Sequence, residues 1–182
     1  MKKKLLITLI SLCVWGTAQA QDSLQVKPQV SAPYKVAVGI RYAIAGPTGT
    51  DLGITAKYFI GKQSALEAYS NLSTEKRYFL ASLSYIWQPK LATSDRLRPY
   101  AGIGLGLLRT NNPSPEYYGG PAAYTNPVAV ASFGVEYSFK KTPLAISLDY
   151  RSTFVRYGRS TPQYVDLNNS SNIGLGLKYT FR

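Results

Sequence analysis

The sequence predicts an all-β chain folded as an eight-stranded antiparallel up-and-down barrel. Three observations predict it: apolar residues recur at every second position through eight segments, turn residues separate the segments, and glycine, serine and charge occupy the alternate positions. The 182 residues are about one domain's worth of chain. Aromatic and β-branched residues are too plentiful and too evenly spread for disorder. A helical bundle is excluded as well, since its Ala/Leu/Glu/Lys repeats are missing and charged residues make up 16% of the chain, against about a quarter in ordinary soluble domains.

The N-terminal segment reads differently from the rest. Lys2, Lys3 and Lys4 precede an apolar run from Leu5 to Trp15, and Gly16 to Ala20 then supplies small residues before a cleavage after Ala20. This is the order of a cleaved secretory signal peptide over residues 1–20. The run is too short to cross a hydrocarbon core, which takes about 20 apolar residues. Leu12 stands where a lipoprotein signal needs a small residue before Cys13, so lipidation is not expected. Residues 21–34, polar and carrying Pro28 and Pro33, read as a flexible leader, and residues 35–182 as the barrel.

From Lys35 onward the period is two. Val36, Val38, Ile40 and Tyr42 alternate with Lys35, Ala37, Gly39 and Arg41, so one face is apolar and the other small or charged. The second strand sets Leu52, Ile54, Ala56, Tyr58 and Ile60 against Gly53, Thr55 and Lys57, and a shorter third sets Leu66 and Ala68 against Glu67 and Tyr69. In the fourth, Phe79, Ala81, Leu83, Tyr85 and Trp87 oppose Leu80, Ser82, Ser84 and Ile86. The fifth opposes Ala101, Ile103, Leu105 and Leu107 to Arg98, Tyr100, Gly102, Gly104 and Gly106. The sixth opposes Ala129, Ala131, Phe133, Val135, Tyr137 and Phe139 to Ser132, Gly134 and Glu136. The seventh sets Leu144, Ile146, Leu148, Tyr150 and Phe154 against Ala145, Ser147, Asp149, Arg151 and Thr153. In the last, Ile173, Leu175, Leu177, Tyr179 and Phe181 oppose Asn172, Gly174, Gly176, Lys178 and Thr180.

The connections fix an orientation. Gly61 to Gln63, Pro89 to Asp95 and Lys140 to Pro143 are turns on one rim, whereas the two longest connections, Thr110 to Asn126 and Gly158 to Ser171, lie on the other. Short turns on one rim and longer loops on the other are the pattern of a bacterial outer-membrane barrel, with turns, termini and leader on the periplasmic side. Three features set the apolar face toward lipid. The polar face is crowded with glycine and serine, as the narrow interior of an eight-stranded barrel requires. Outward aromatics gather where the even-numbered strands end, at Tyr58, Tyr85, Trp87, Tyr137, Phe139, Tyr179 and Phe181, the level of a girdle. Both signs of charge stand at strand centres on the polar face. The fold class expected is therefore a transmembrane barrel.

With the signal peptide, the eight amphipathic strands and the ending GLGLKYTFR, the chain resembles the small outer-membrane β-barrels typified by the transmembrane domain of outer membrane protein A, the porin-family type. The Gln after Ala-x-Ala and the basic ending look similar to members of the Bacteroidetes type. The resemblance implies that Gly176, Tyr179 and Phe181 form the Gly-x-x-aromatic-x-aromatic signal read by the barrel assembly machinery. Arg182 departs from the pattern, since many members end on the aromatic itself.

The first candidate site is a lumen charge network. Lys57, Glu67, Arg98, Glu136 and Lys178 fall toward the periplasmic half, with Asp149, Arg151 and Arg41 at or above the middle. Neighbouring strands would let Lys57 meet Glu67, Arg98 meet Glu136, and Asp149 or Arg151 meet Lys178. Unpaired buried charges cost several kcal/mol, so a salt-bridge plug is the first reading and a gated ion path, anion-preferring from its excess of positive charge, the second. Arg77, Arg109 and Arg156 share the outward parity near the long-loop rim, where guanidinium forks suit the phosphates of lipopolysaccharide or snorkel into the interface. The loops 110–126 and 158–171 are candidate contacts for an extracellular partner, the first through its three tyrosines, or else loosely ordered. Gly102, Gly104 and Gly106 alternate along a strand rather than opening a helix, so they are not a phosphate cradle.

The absence of histidine removes the usual general base and the commonest metal ligand, and a single cysteine leaves no disulfide or zinc framework. No catalytic residue, metal or cofactor is expected. A nucleic-acid role is not expected either, because the basic residues do not form a stripe with interleaved aromatics. The expected function is that of a non-enzymatic outer-membrane barrel that anchors in lipid and presents its loops. Two alternatives are a narrow channel for small solutes, and a secreted soluble barrel binding an apolar ligand, for which Tyr58, Trp87 and Phe139 must turn inward.

Overall fold

The computed structural model describes residues 32–46, 49–72, 78–111, 123–155 and 170–181, so the expected signal peptide and most of the leader lie outside the described residues. The eight alternating segments form eight strands: β1 Val36–Gly46, β2 Gly49–Phe59, β3 Ser64–Asn71, β4 Tyr78–Trp87, β5 Leu97–Asn111, β6 Ala123–Ser138, β7 Leu144–Val155 and β8 Ser170–Phe181. Each pairs antiparallel with its chain neighbour, and β8 closes on β1 through the register from Val36↔Phe181 to Ile44↔Ile173. Closure gives every strand a hydrogen-bonded neighbour on each side, and stretches at strand ends, such as 97–100 on β5 and 123–127 on β6, are paired on one side. The ring is staggered. From Ile44, the register row runs through Ile173, Tyr150, Phe133, Ala101, Trp87 and Ser64 and comes back to β1 about ten residues lower, which is the shear that tilts barrel strands.

At the turn end, residues 60–63, 88–96 and 139–143 join β2 to β3, β4 to β5 and β6 to β7. The middle turn is long but braced: Ser94 Oγ accepts from the Arg96 and Leu97 amides at 3.3 and 3.2 Å, and Lys90 pairs with Asp95. The Lys90 ammonium holds the Asp95 carboxyl below its usual range. Two prolines sit inside strands without breaking the ladder. Pro99 precedes the first β4–β5 pair, Trp87↔Ala101, and Pro127 lies beyond the last β6–β7 pair, Val128↔Val155, so each stands where one side of its strand is unpaired.

The loop expected at 110–126 is shorter than the sequence reading made it. β5 and β6 continue past the apolar alternation, pairing Thr110 with Tyr124 and Asn111 with Ala123. A hairpin with no apolar face to bury can extend on backbone hydrogen bonds alone, and alternation does not mark it. The 158–171 loop also loses its end to β8, where Ser170 and Ser171 pair with Thr153 and Ser152. Residues 112–122 and 156–169 lie outside the described residues.

The barrel is amphipathic in the inverted sense. Among the described residues thirty large hydrophobic side chains are exposed, with Ile103 and Leu105 at 69% and 75%, while arginine, lysine and carboxylates are buried inside. A soluble protein does not carry an unbroken apolar belt of this size. Tyr58, Trp87 and Phe139 are exposed on the outer wall, which overturns the soluble-barrel alternative that needed them inside. Inward glycines set the bore. A Cβ at Gly174 would meet the Arg41 guanidinium, and one at Gly53 the ring of Tyr69, so both positions hold space for a specific neighbour.

Candidate functional site

All eight charged residues of the candidate lumen network are on the inner wall and no more than 5% exposed. An apolar layer of Tyr34, Phe59, Ile86 and Tyr100 lies below them at the turn end, and Tyr69, Leu80, Leu108, Val128 and Val130 form a second cluster toward the loop end. The charges occupy the level between.

Glu136 on β6 is the hub. Its Oε2 takes Lys57 Nζ at 3.2 Å and Lys178 Nζ at 3.0 Å, and its Oε1 takes the Tyr34 hydroxyl at 2.6 Å and Gln88 Nε2 at 3.1 Å. Gln88 Oε1 accepts a second bond from Lys57 at 2.8 Å. Lys178 also reaches Glu67 Oε2 at 3.1 Å, and Arg151 Nη2 reaches Glu67 Oε1 at 2.9 Å. Arg41 gives Nε to Asp149 Oδ1 at 2.8 Å and Nη2 to Asn172 Oδ1 at 2.8 Å, while Tyr100 donates to Asp149 Oδ2 at 3.0 Å. Every carboxylate is thus held by more than one donor, the condition under which a buried pair holds together.

The pairs differ from those expected of neighbouring strands. Lys57 and Glu67 are register partners, yet the ammonium turns to Glu136 and Gln88. Asp149 takes Arg41 rather than Lys178, and Arg151 takes Glu67. Arg98 stands opposite Glu136 in register and gives Nε to the Asp95 carbonyl at 3.4 Å. The bore of an eight-stranded barrel is narrower than two extended lysines, so the tips of long chains pass the axis and meet the far wall. Partners on adjacent strands leave the wall side by side and need not meet at their tips.

Four members lie outside the expected eight: Tyr100 and Asn172 stand on the inward face that alternation assigns them, whereas Gln88 and Tyr34 had no inward assignment. Gln88 continues the inward parity of Ser84 and Ile86 past the end of β4, so parity alone could have found it. Tyr34, assigned to the flexible leader, is 4% exposed and stacks edge-on against Phe59 with centroids 5.1 Å apart. Alternation would have sent it outward, but the chain bends at Pro33 and Lys35 and turns the ring under the barrel. Burial, with the Glu136 carboxylate beside it, pushes the Tyr34 hydroxyl well above its ordinary range, so it stays a donor.

Of the three rim arginines, Arg109 is exposed on the outer wall of β5, in register with Phe79 and Thr125. Arg77 and Arg156 lie outside the described residues. Tyr179 and Phe181 face outward as a ring pair 4.9 Å apart, and Gly176 faces inward against Ser147. Among the described residues no group of three His, Cys, Asp or Glu is placed to hold a metal ion.

No family model matches the chain, and no curated protein matches it. Solved structures do. The N-terminal β-barrel domain of Pseudomonas aeruginosa OprF is similar with a TM-score of 0.58 at 18% identity, over 81% of this chain and 99% of that one. Neisserial surface protein A is similar at 0.55 and 17% identity, over 82% and 98%. A de novo designed transmembrane β-barrel gives 0.52 at 14% identity, over 82% and 97%. At such identities the likeness shows the fold alone: this chain has the closed eight-stranded barrel of small outer-membrane proteins.

Proposed function

We propose that this barrel is a non-enzymatic protein of the bacterial outer membrane, anchored by its apolar belt, closed by its ionic lumen, and presenting its loops to the outside. The observation that carries the reading is the inversion itself: exposed leucine, isoleucine and aromatic side chains surround a bore packed with hydrogen-bonded ion pairs. Burying that belt in lipid removes the one surface water would not tolerate. The likeness in fold to OprF and Neisserial surface protein A supports the same location. In this reading residues 1–20 direct export, residues 21 to about 31 lie in the periplasm, and Gly176, Tyr179 and Phe181 present the assembly signal. Arg77, Arg109 and Arg156 meet phosphates of lipopolysaccharide, and the connections within 110–126 and 158–171 contact an extracellular partner. Fractionation and gel mobility test it: an outer-membrane protein whose mobility differs between boiled and unboiled samples is expected, and a water-soluble protein with no such shift overturns it.

A narrow channel is the second reading, favoured by the cation excess in the network, where Arg41, Lys57, Arg98, Arg151 and Lys178 face Glu67, Glu136 and Asp149. It requires single-channel current that changes when Lys57 or Arg151 is replaced. A silent bilayer leaves the plug.

A further inference from the structure

Donors and acceptors are divided unevenly along the bore. At the turn end Lys57 and Lys178 are matched by Glu67, Glu136 and Gln88. Around Tyr69, farther toward the loop end, donors are in surplus. Arg41 commits Nε and Nη2 and leaves Nη1 without an acceptor; Arg151 commits Nη2 and leaves Nε and Nη1. Both residues are more than nine-tenths buried, at 2% and 4% exposed. Asn71 Nδ2 and the hydroxyls of Thr55 and Ser82, buried on the facing wall, also lack partners.

These groups share one place. Thr55 and Ser82 flank Tyr69 in register on β2 and β4, and Asn71 is the next inward residue after Tyr69 on β3. The guanidinium carbons of Arg41 and Arg151 lie 5.8 and 4.3 Å from the Tyr69 ring centroid. A guanidinium laid over a ring keeps its N–H edges free in its own plane, directed past the ring. Each buried donor left unmet costs about 1–3 kcal/mol, and more when charged, so a set of this size calls for an acceptor beyond those the described residues supply. Charge selects its kind. Asp149 is engaged by Arg41 and Tyr100, Glu67 is shared with Lys178, and Asp51 is the further carboxylate on the inner register at this end. The N–H edges left over at this level belong to two guanidiniums, and a charged donor is matched best by an anionic acceptor.

We propose that the bore beside Tyr69 is a binding site for a small inorganic anion of chloride size, gripped by Arg41 Nη1 and by Arg151 Nε and Nη1, with Asn71, Thr55 and Ser82 as neutral donors. The anion completes the hydrogen bonding of the outer half of the lumen as Glu136 completes that of the inner half.

The test uses the full barrel in detergent, with thermal unfolding followed in sodium chloride and in sodium gluconate at equal ionic strength. Chloride should raise the midpoint saturably, by about 3 °C. Crystals soaked in bromide should show an anomalous peak between Arg41 and Arg151. Arg151→Lys keeps a cation for Glu67 but loses the free N–H edge, and should lose the chloride increment. Asn71→Asp leaves both arginine pairs intact and supplies an acceptor within the chain, so it should be insensitive to chloride whether or not the lysine variant folds. Coincident wild-type curves, a water in place of bromide, or a chloride increment retained in Asn71→Asp would each overturn the site.

Discussion

The Tyr34 hydroxyl donates a 2.6 Å hydrogen bond to Glu136 Oε1, joining the residue two before β1 to the inner wall of β6. The bond closes the bore at its turn end, because the same ring lies edge-on against Phe59 and packs with Ile86 and Tyr100. The chain ahead of the barrel therefore contributes a stopper, and the ion network above it is sealed from that side.

Tyr34→Phe keeps the ring and removes the bond. A hydrogen bond to a charged group contributes about 1.5–3 kcal/mol, and a loss of that order is expected in urea unfolding of the purified barrel. The pH dependence has a defined sign. The folded hydroxyl titrates above its unfolded value, so its contribution is fully present below about pH 10 and is lost as pH rises through the folded value. The gap between wild type and Tyr34→Phe should narrow on the alkaline side and stay constant from pH 6 to 9. A gap that widens above pH 10 would mean that the hydroxyl is not the buried donor described.

Glu136→Gln should be the most damaging single change in the network. It leaves Lys57 and Lys178 facing each other with one carboxylate, Glu67, between Lys178 and Arg151. Breaking a buried pair by removing one partner costs about 3–5 kcal/mol. Replacing Lys57 with Met in the same chain removes the stranded cation and should restore part of the loss, so the double mutant unfolds later than Glu136→Gln alone. If the two changes simply add, Lys57 and Glu136 are not coupled.

Gly174→Ala and Gly53→Ala test the spaces held on the inner wall. The first places a methyl against the Arg41 guanidinium and the second against the Tyr69 ring. Overpacking of this kind costs about 1–3 kcal/mol. Gly61→Ala, which lies in a turn with only ordinary contact to Ser64, should cost far less. Equal unfolding midpoints for the three variants would show that the inner glycines are not spacers.

The division between what the sequence discloses and what it hides follows the reach of each interaction. Alternation is local, so Ile40 and Arg41 report their faces from the chain alone, and the same holds for Tyr179 and Lys178. Ion pairing is not local: Arg151 and Glu67 meet across a bore whose width no window of sequence carries, and adjacent-strand reasoning sent Lys57 to the wrong carboxylate. Tyr34 escaped for a different reason, since a bend at Lys35, between it and β1, breaks the parity on which every inward assignment rests. The ends of β5 and β6 escaped because Thr110, Asn111 and Tyr124 pair without an apolar face to mark them.

Tyr179 and Phe181 separate assembly from stability. Their rings are 49% and 50% exposed on the outer wall and touch each other rather than the lumen, so no ion pair or inner layer depends on them. If they serve as the signal read during insertion, Phe181→Ala should lower the amount of heat-shifted barrel in the outer membrane several-fold. The same variant, refolded into detergent from the purified chain, should reach nearly the wild-type unfolding midpoint, because one exposed ring on a surface already covered by detergent contributes within about 0.5 kcal/mol. A midpoint that falls in step with the cellular yield would mean that Phe181 acts through the fold, not through recognition.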